Sequence, residues 1–125
     1  MRAHSYEGYH ETCDCQLIEG WAWDRSQPNN PIKVDIYADD ILLITISAGE
    51  FRQDLAGAGM GDGRHGFRVP FPFWLKDNKP HLIRVRVAGA NVDLHSTPRI
   101  IKCECYESEL YTKGFFSRGE VGRKN

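Results

Sequence analysis

At 125 residues the chain is the size of one ordinary domain, long enough to bury roughly two-thirds of its unfolded surface. With 41% hydrophobic and 26% charged residues, its composition is globular and not disordered. A formal net charge of −1 gives no global field for nucleic acid or a membrane surface, and no stretch approaches the ~20 apolar residues that cross a bilayer.

Met1 to Tyr9 has no apolar h-region of a signal peptide, and residues 1–12 read as a lead-in. The sandwich module is expected over 13–105. A strand is expected at Leu17 to Asp24, which carries Gly20-Trp21-Ala22-Trp23-Asp24. Trp21 and Trp23 share a face of that strand. Exposed, they would stack on sugar rings; buried, they would fill a core, and at least one is expected there. Ile32, Val34 and Ile36 alternate with Lys33, Asp35 and Tyr37, Asp39-Asp40 forms a turn, and 41–47 follows as the second arm of a hairpin.

Residues 50–60 read as a helix of at most two turns, with Phe51, Leu55 and Ala58 on one side and Gly57 and Gly59 weakening it. Strands follow at 67–71, at 83–87 with Ile83, Val85 and Val87 alternating, and at 99–105. The expected core is Ile32, Val34, Ile36, Ile44, Ile83, Val85 and Val87. Short strands between turns, without βαβ alternation, predict an all-β, antiparallel Ig-like β-sandwich with one short helix. Residues 106–125 lose the alternation and read as a C-terminal tail or linker. Tyr111, Phe115 and Phe116 within it are placed to fold back on the body.

Cys13, Cys15, Cys103 and Cys105 form two CxC pairs, one near each end. In an antiparallel ladder opposed residues have a constant index sum, and both Cys13 with Cys105 and Cys15 with Cys103 satisfy one register. Both bridges would then lie on one face of a ladder between first and last strands. Four thiolates could also hold zinc, or remain free. The flat CxC arm suits bridges better than the turning CxxC knuckle of zinc sites. Bridges imply an oxidising compartment, secreted or at a cell surface.

Chemistry-bearing candidates are few. Asp62, Arg64 and His65 lie in Gly61-Asp62-Gly63-Arg64-His65-Gly66-Phe67. A hydrolase would use His65 as base and Asp62 as its orienter, whereas a plain reading makes the run a tight turn into a strand. Trp74, after Pro70-Phe71-Pro72-Phe73, is either a core plug or an apolar rim. Trp74 with Arg64, His65 and Asp62 is the candidate ligand patch. Asp39-Asp40 falls short of a Ca²⁺ loop, Arg84 and Arg86 form only a small basic face, and no nucleophile elbow or phosphate-binding motif appears. No cofactor is called for.

The segments Gly20-Trp-Ala-Trp-Asp24, Phe51-Arg-Gln-Asp-Leu55 and Gly61-Asp-Gly-Arg-His-Gly-Phe67, with the strands at 31–37 and 80–89, resemble a bacterial accessory domain. Such β-sandwich domains are appended to secreted, surface and glycosyltransferase-associated proteins. The resemblance spans about residues 8–103 and implies no catalytic residue. It implies Cys15–Cys103 as the main bridge, with Cys13 and Cys105 an addition. The expected function is a non-catalytic accessory module of a larger extracellular or surface protein, binding a polysaccharide or other glycan and contacting neighbouring domains, with no nucleic acid and no membrane insertion. A self-associating spacer joined through sheet edges and a small hydrolase using the Asp62/His65 turn are the alternatives.

Overall fold

The computed structural model describes residues 3–104. In chain order the elements are β1 (Tyr6–Cys13), β2 (Leu17–Asp24), β3 (Ile32–Ala38), β4 (Ile41–Ala48), β5 (Glu50–Phe51), α1 (Gln53–Gly57), β6 (Arg64–Pro70), a 3-10 turn at Phe73–Leu75, β7 (Pro80–Val87), β8 (Val92–Asp93) and β9 (Arg99–Lys102). One antiparallel sheet runs β1-β2-β6-β5, and the other runs β4-β3-β7 with β8 and β9 sharing the far side of β7. This is the antiparallel sandwich expected, in the ABED and C′CFG order of the immunoglobulin type.

The alternating runs form the core as expected. Val34, Ile36, Ile83, Val85 and Val87 are buried between the sheets, where Ile36 opposes Val85 and Val34 opposes Val87. Ile18, Ala22 and Phe67 meet them from the other sheet, and Ile32 packs partly buried at the margin. Asp39 and Asp40 both take positive φ, the geometry of a two-residue hairpin loop. Asp39 and Asp77 clamp the two ring nitrogens of His81 at 2.6 and 2.9 Å. The Asp39 bond leads in raising the His81 pKa, so this clip is complete below the ordinary histidine value and loosens as pH rises through the raised one.

Two expectations are corrected. The stretch 1–12 is not all lead-in, because Tyr6–Cys13 forms β1 and pairs along β2. Its inward residues are Gly8 and His10, which carry no apolar signal. Gly20 sits opposite His10, and a Cβ there would run into the Tyr9 carbonyl, so only glycine allows that approach. The outer edge of β1 is met by residues 94–97: His10 N–H donates to the His95 carbonyl, and His95 N–H to the Gly8 carbonyl. That flank of the sandwich is therefore closed.

The second correction concerns the cysteines. Cys15 and Cys103 are bridged, with Cα atoms 5.7 Å apart. They do not lie on a ladder between first and last strands. β1 pairs with its neighbour β2, which puts Cys15 in the turn between them, while Cys103 follows β9 in the opposite sheet. The bridge consequently joins the two sheets. Among the described residues Cys13 is a free thiol, its pKa raised by burial; Cys105 lies outside the described residues.

His10 is fully enclosed, with Nδ1 3.2 Å from the Thr97 hydroxyl, which also accepts the Val85 N–H. Burial, and then the nearby Arg99 guanidinium, push its pKa down to about 4. Between the ordinary value of 6.5 and that value, the unfolded chain binds a proton that the folded chain refuses. Stability should fall by about 3 kcal/mol across that interval, at 1.36 kcal/mol per pKa unit. Denaturant melts of the wild type and His10→Gln at several pH values check this: the variant should lose most of the slope, and equal slopes would refute it.

Candidate functional site

β2 is buried on both faces. Ile18, Ala22 and Asp24 are on the inward parity, and Trp21 and Trp23 point out of the sandwich, where Leu55 of α1 and Met60 cover them. Both tryptophans are thus buried, in a small cluster of their own. Arg52 fastens the helix: its guanidinium reaches Glu11 of β1 at 2.6 Å and Asp54 of α1 at 2.7 Å. Gly61 has a φ of +56, and a Cβ there would strike the Pro28 carbonyl. Asp24 is enclosed. Burial alone would raise its pKa, but hydrogen bonds from Ser26, Ser5 and His4 outweigh it and hold the carboxyl well below the usual range.

The motif segments therefore build and hold the α1 cover. His65 is 0% exposed and lies against the Trp23 ring at 6.0 Å, with Nε2 3.7 Å from the Asp62 carboxylate, too long for a hydrogen bond. Burial lowers its pKa against the opposing pull of Pro28, Asp62 and Met60. Asp62 accepts the Arg64 N–H at 3.0 Å, as in a tight turn, and the exposed Arg64 side chain turns back to the same carboxylate. The structure keeps these three residues together but separates them from Trp74. β6 carries Arg64 at its start and spans about 20 Å at 3.3 Å per residue, and Trp74 lies in the 3-10 turn beyond its other end. The candidate patch combining Trp74 with Arg64, His65 and Asp62 is thus not assembled.

Trp74 belongs to a different feature. On the flank opposite residues 94–97 the two sheets part, leaving an apolar slot of about 400 Å³. Ile18 and Ile36 form its floor, Leu43 and Ile44 of β4 one wall, and the run from Val69 to Trp74 the other. Phe73 and Trp74 stand at the rim, 60% and 61% exposed, with their rings edge to face at 5.5 Å. Trp74 is the apolar rim of the two readings given to it. Ile44, expected in the core, is 40% exposed at the mouth, because β4 is an edge strand and the opposite sheet draws away from it here. Ile41 and Leu42 extend the exposed apolar surface along that edge. The slot was foreshadowed only by the proline-aromatic run at 70–74. Its β4 wall looks like any half-buried strand until the sheets are seen to separate.

The outer face of the β4-β3-β7 sheet carries a charged cluster beside the exposed Leu42. Asp93 pairs with both Arg84 and Arg86 at 2.7 Å, and Arg86 lies over the Tyr37 ring.

Fold and site together define an all-β, immunoglobulin-type sandwich with one helix-covered face and, among the described residues, an apolar slot on one flank. Compared with known proteins, the chain matches no family model, no curated protein and no solved structure. The Cys15–Cys103 bridge is compatible with an oxidising compartment.

Proposed function

We propose that this chain is a non-catalytic accessory module of a larger secreted or surface protein, and that it engages apolar side chains of another polypeptide segment through the Phe73/Trp74 slot. The observation that carries the reading is the pair of exposed aromatic rings standing over an apolar opening between the sheets. Large aromatics at the mouth of an apolar pocket are what anchors the centre of protein interfaces. A glycan reader needs a flat aromatic face with planar polar groups beside it. Here the two rings stand at 84° to each other, and the polar candidates Arg64 and Asp62 are at the far end of β6. The non-enzymatic part is supported by His65, whose ring is enclosed under Trp23. The bacterial accessory-domain resemblance and the extracellular location are part of the same proposal.

Selection of displayed random peptides against the folded domain tests it. Recovered peptides should carry paired aromatic or branched aliphatic residues, and Trp74→Ser should weaken them about tenfold or more, the loss of a central anchor. Saturable heat with a surface polysaccharide, removed by Trp74→Ser and without any peptide hit, would make the module a glycan reader instead. Turnover in a hydrolase screen that His65→Ala removes would end the non-enzymatic reading.

One observation favours a second reading, the self-associating spacer. Among the described residues β4 pairs with β3 alone, and it exposes Ile41, Leu42 and Ile44 along its eight residues without a proline or lysine. Such an edge is a template for another strand. Light scattering that reports a dimer, dispersed by Thr45→Pro on that strand, would support it; a monomer at all concentrations would refute it.

A further inference from the structure

We infer that the outer face of the β4-β3-β7 sheet holds a ligand site built around Tyr37, and that its ligand is a neutral oligosaccharide. The inference goes beyond the Phe73/Trp74 slot and does not rest on it.

The site follows from strand register. Tyr37 of β3 has Leu42 of β4 on one side and Arg84 of β7 on the other. Two residues back, on the same face, Asp35 stands between Thr45 and Arg86. A turn closes each end of this strip. Past Tyr37 lies the Asp39-Asp40 hairpin loop. Past Asp35 lies the turn between β7 and β8, where Gly89 and Asn91 take positive φ. The Ala88 N–H donates to the Lys33 carbonyl, which holds that turn against the start of β3. Between the turns lie two adjoining hollows of about 260 and 300 Å³. Tyr37, Asp40, Arg84 and Arg86 line the first. Asp35, Gly89 and Asn91 line the second, with the same Tyr37 and Arg86.

The groups in the strip suit hydroxyls. A sugar hydroxyl both donates and accepts, so neighbouring hydroxyls are best met by a donor beside an acceptor. Each hollow offers that pairing: Arg84 and Arg86 beside Asp40 in the first, Arg86 and the Asn91 amide beside Asp35 in the second. The guanidiniums are already held in place. Asp93 accepts an N–H from each at 2.7 Å, and the Asn91 side-chain carbonyl accepts another from Arg86 at 2.5 Å. A guanidinium has five N–H groups, so among the described residues donors remain on both. Exposed ion pairs of this kind add little to stability. Here they order side chains that a ligand would otherwise have to order itself. The shared Tyr37 ring supplies an aromatic surface against which the C–H face of a sugar packs, and the Arg86 guanidinium, 6.0 Å from the ring centre, keeps it oriented.

Charge sets the ligand class. The two guanidiniums share the strip with the carboxylates of Asp35, Asp40 and Asp93. An anion would have to take the guanidiniums from Asp93 against two further carboxylates, and a cation would meet the guanidiniums themselves. A neutral polyol meets neither opposition. Two hollows that share one ring suit a ligand of repeated ring units. The Phe73/Trp74 slot, lined by aliphatic and aromatic side chains and prolines, offers none of these polar groups.

The test is calorimetric titration of the whole chain with neutral oligosaccharides of glucose, mannose and galactose, each from the single sugar to a short chain, with oligogalacturonate as the charged comparison. At least one neutral series should give saturable heat. Its affinity should rise with chain length as both hollows fill, and should be unchanged between about 0.05 and about 0.5 M salt. Tyr37→Leu keeps an apolar side chain and removes the ring, and it should weaken binding about tenfold or more. Asp40 and Asn91 both have positive φ, which glycine takes freely, so the Asp40→Gly/Asn91→Gly variant keeps its turns and loses a polar group at each end of the strip. It too should bind about tenfold more weakly, and it carries the test if Tyr37→Leu does not fold. Trp74→Ser should change nothing. No saturable heat from any neutral series at about millimolar concentration would overturn the inference. So would binding that the folded strip variants leave intact, binding that Trp74→Ser removes, or binding of oligogalacturonate alone that fades with salt.

Discussion

Val85→Asp is expected to unfold the domain or leave it barely folded at room temperature. Val85 is fully buried at the middle of β7, opposite Ile36 of β3 on one side. On the other side its N–H and carbonyl are used by Thr97 and Leu94, so the strand is held fast at this point. A carboxylate placed there would face Val34, Ile36, Ile83 and Val87 with no partner. Burying an unpaired charged or polar group costs several kcal/mol, a large part of the 5–15 kcal/mol that a domain of this size has. Two companions separate charge from packing. Val85→Ala removes only methyl groups and should cost about 2 kcal/mol. Ile41→Asp, on the exposed end of β4, should stay within about 0.5 kcal/mol of the wild type. Urea melts followed by tryptophan fluorescence rank the three. A Val85→Asp midpoint close to that of Ile41→Asp would mean that β7 is not a central strand.

That strand is also where the sequence was easiest to read. Alternation works when one face is dry and the other wet, and β3 and β7 are such strands: Val34 and Ile36 point in while Lys33 and Asp35 point out. β2 is dry on both faces, so its near-continuous apolar run located it, but periodicity could not say whether the face shared by Trp21 and Trp23 was buried or exposed. α1 then decided the matter by covering Trp21 and Trp23 from outside. β1 escaped for the opposite reason. Its inward positions are Gly8 and His10, and its stability comes from pairing on two sides, which no residue pattern records.

The candidate site was half legible. Trp74 stood out by its run of prolines and rings, and it is indeed exposed at a rim. Its assumed companions were neighbours only in sequence spacing; a seven-residue strand carries Arg64 and His65 to the opposite end of the sheet. The glycine-rich run suggested a loop for ligands because glycines serve both turns and binding loops. Here Gly61 and Gly63 have positive φ and bring the chain back under Pro28 and α1, a packing duty. The slot itself arises from a gap between sheets, a property of how far β4 and the end of β6 diverge, and nothing local encodes that.

Removing the bridge by Cys103→Ser is the second substitution with a large expected effect. The bond closes a loop of 88 residues, nearly the whole described chain. In the chain-entropy account a loop of that length constrains the unfolded state by about 4–5 kcal/mol at room temperature, strain aside. The location adds to the consequence. Cys15 lies in the β1–β2 turn of one sheet and Cys103 past β9 of the other, so the bond spans the sandwich at the end where the slot opens. Cys103 is buried among core residues, and its loss therefore also removes a packed atom. The same end is otherwise held by backbone hydrogen bonds, Phe71 N–H to Gln16 and Asn78 N–H to Cys103. Loss of the bond should lower stability by about 4 kcal/mol and loosen this end first. Hydrogen exchange should show it: the amides of Phe71 and Asn78 should lose more protection in the variant than that of Val87, which sits at the far end of β7 in a sheet paired on both sides. A melt of Cys103→Ser within about 1 kcal/mol of the wild type would mean that the two cysteines do not carry this bond in the folded protein.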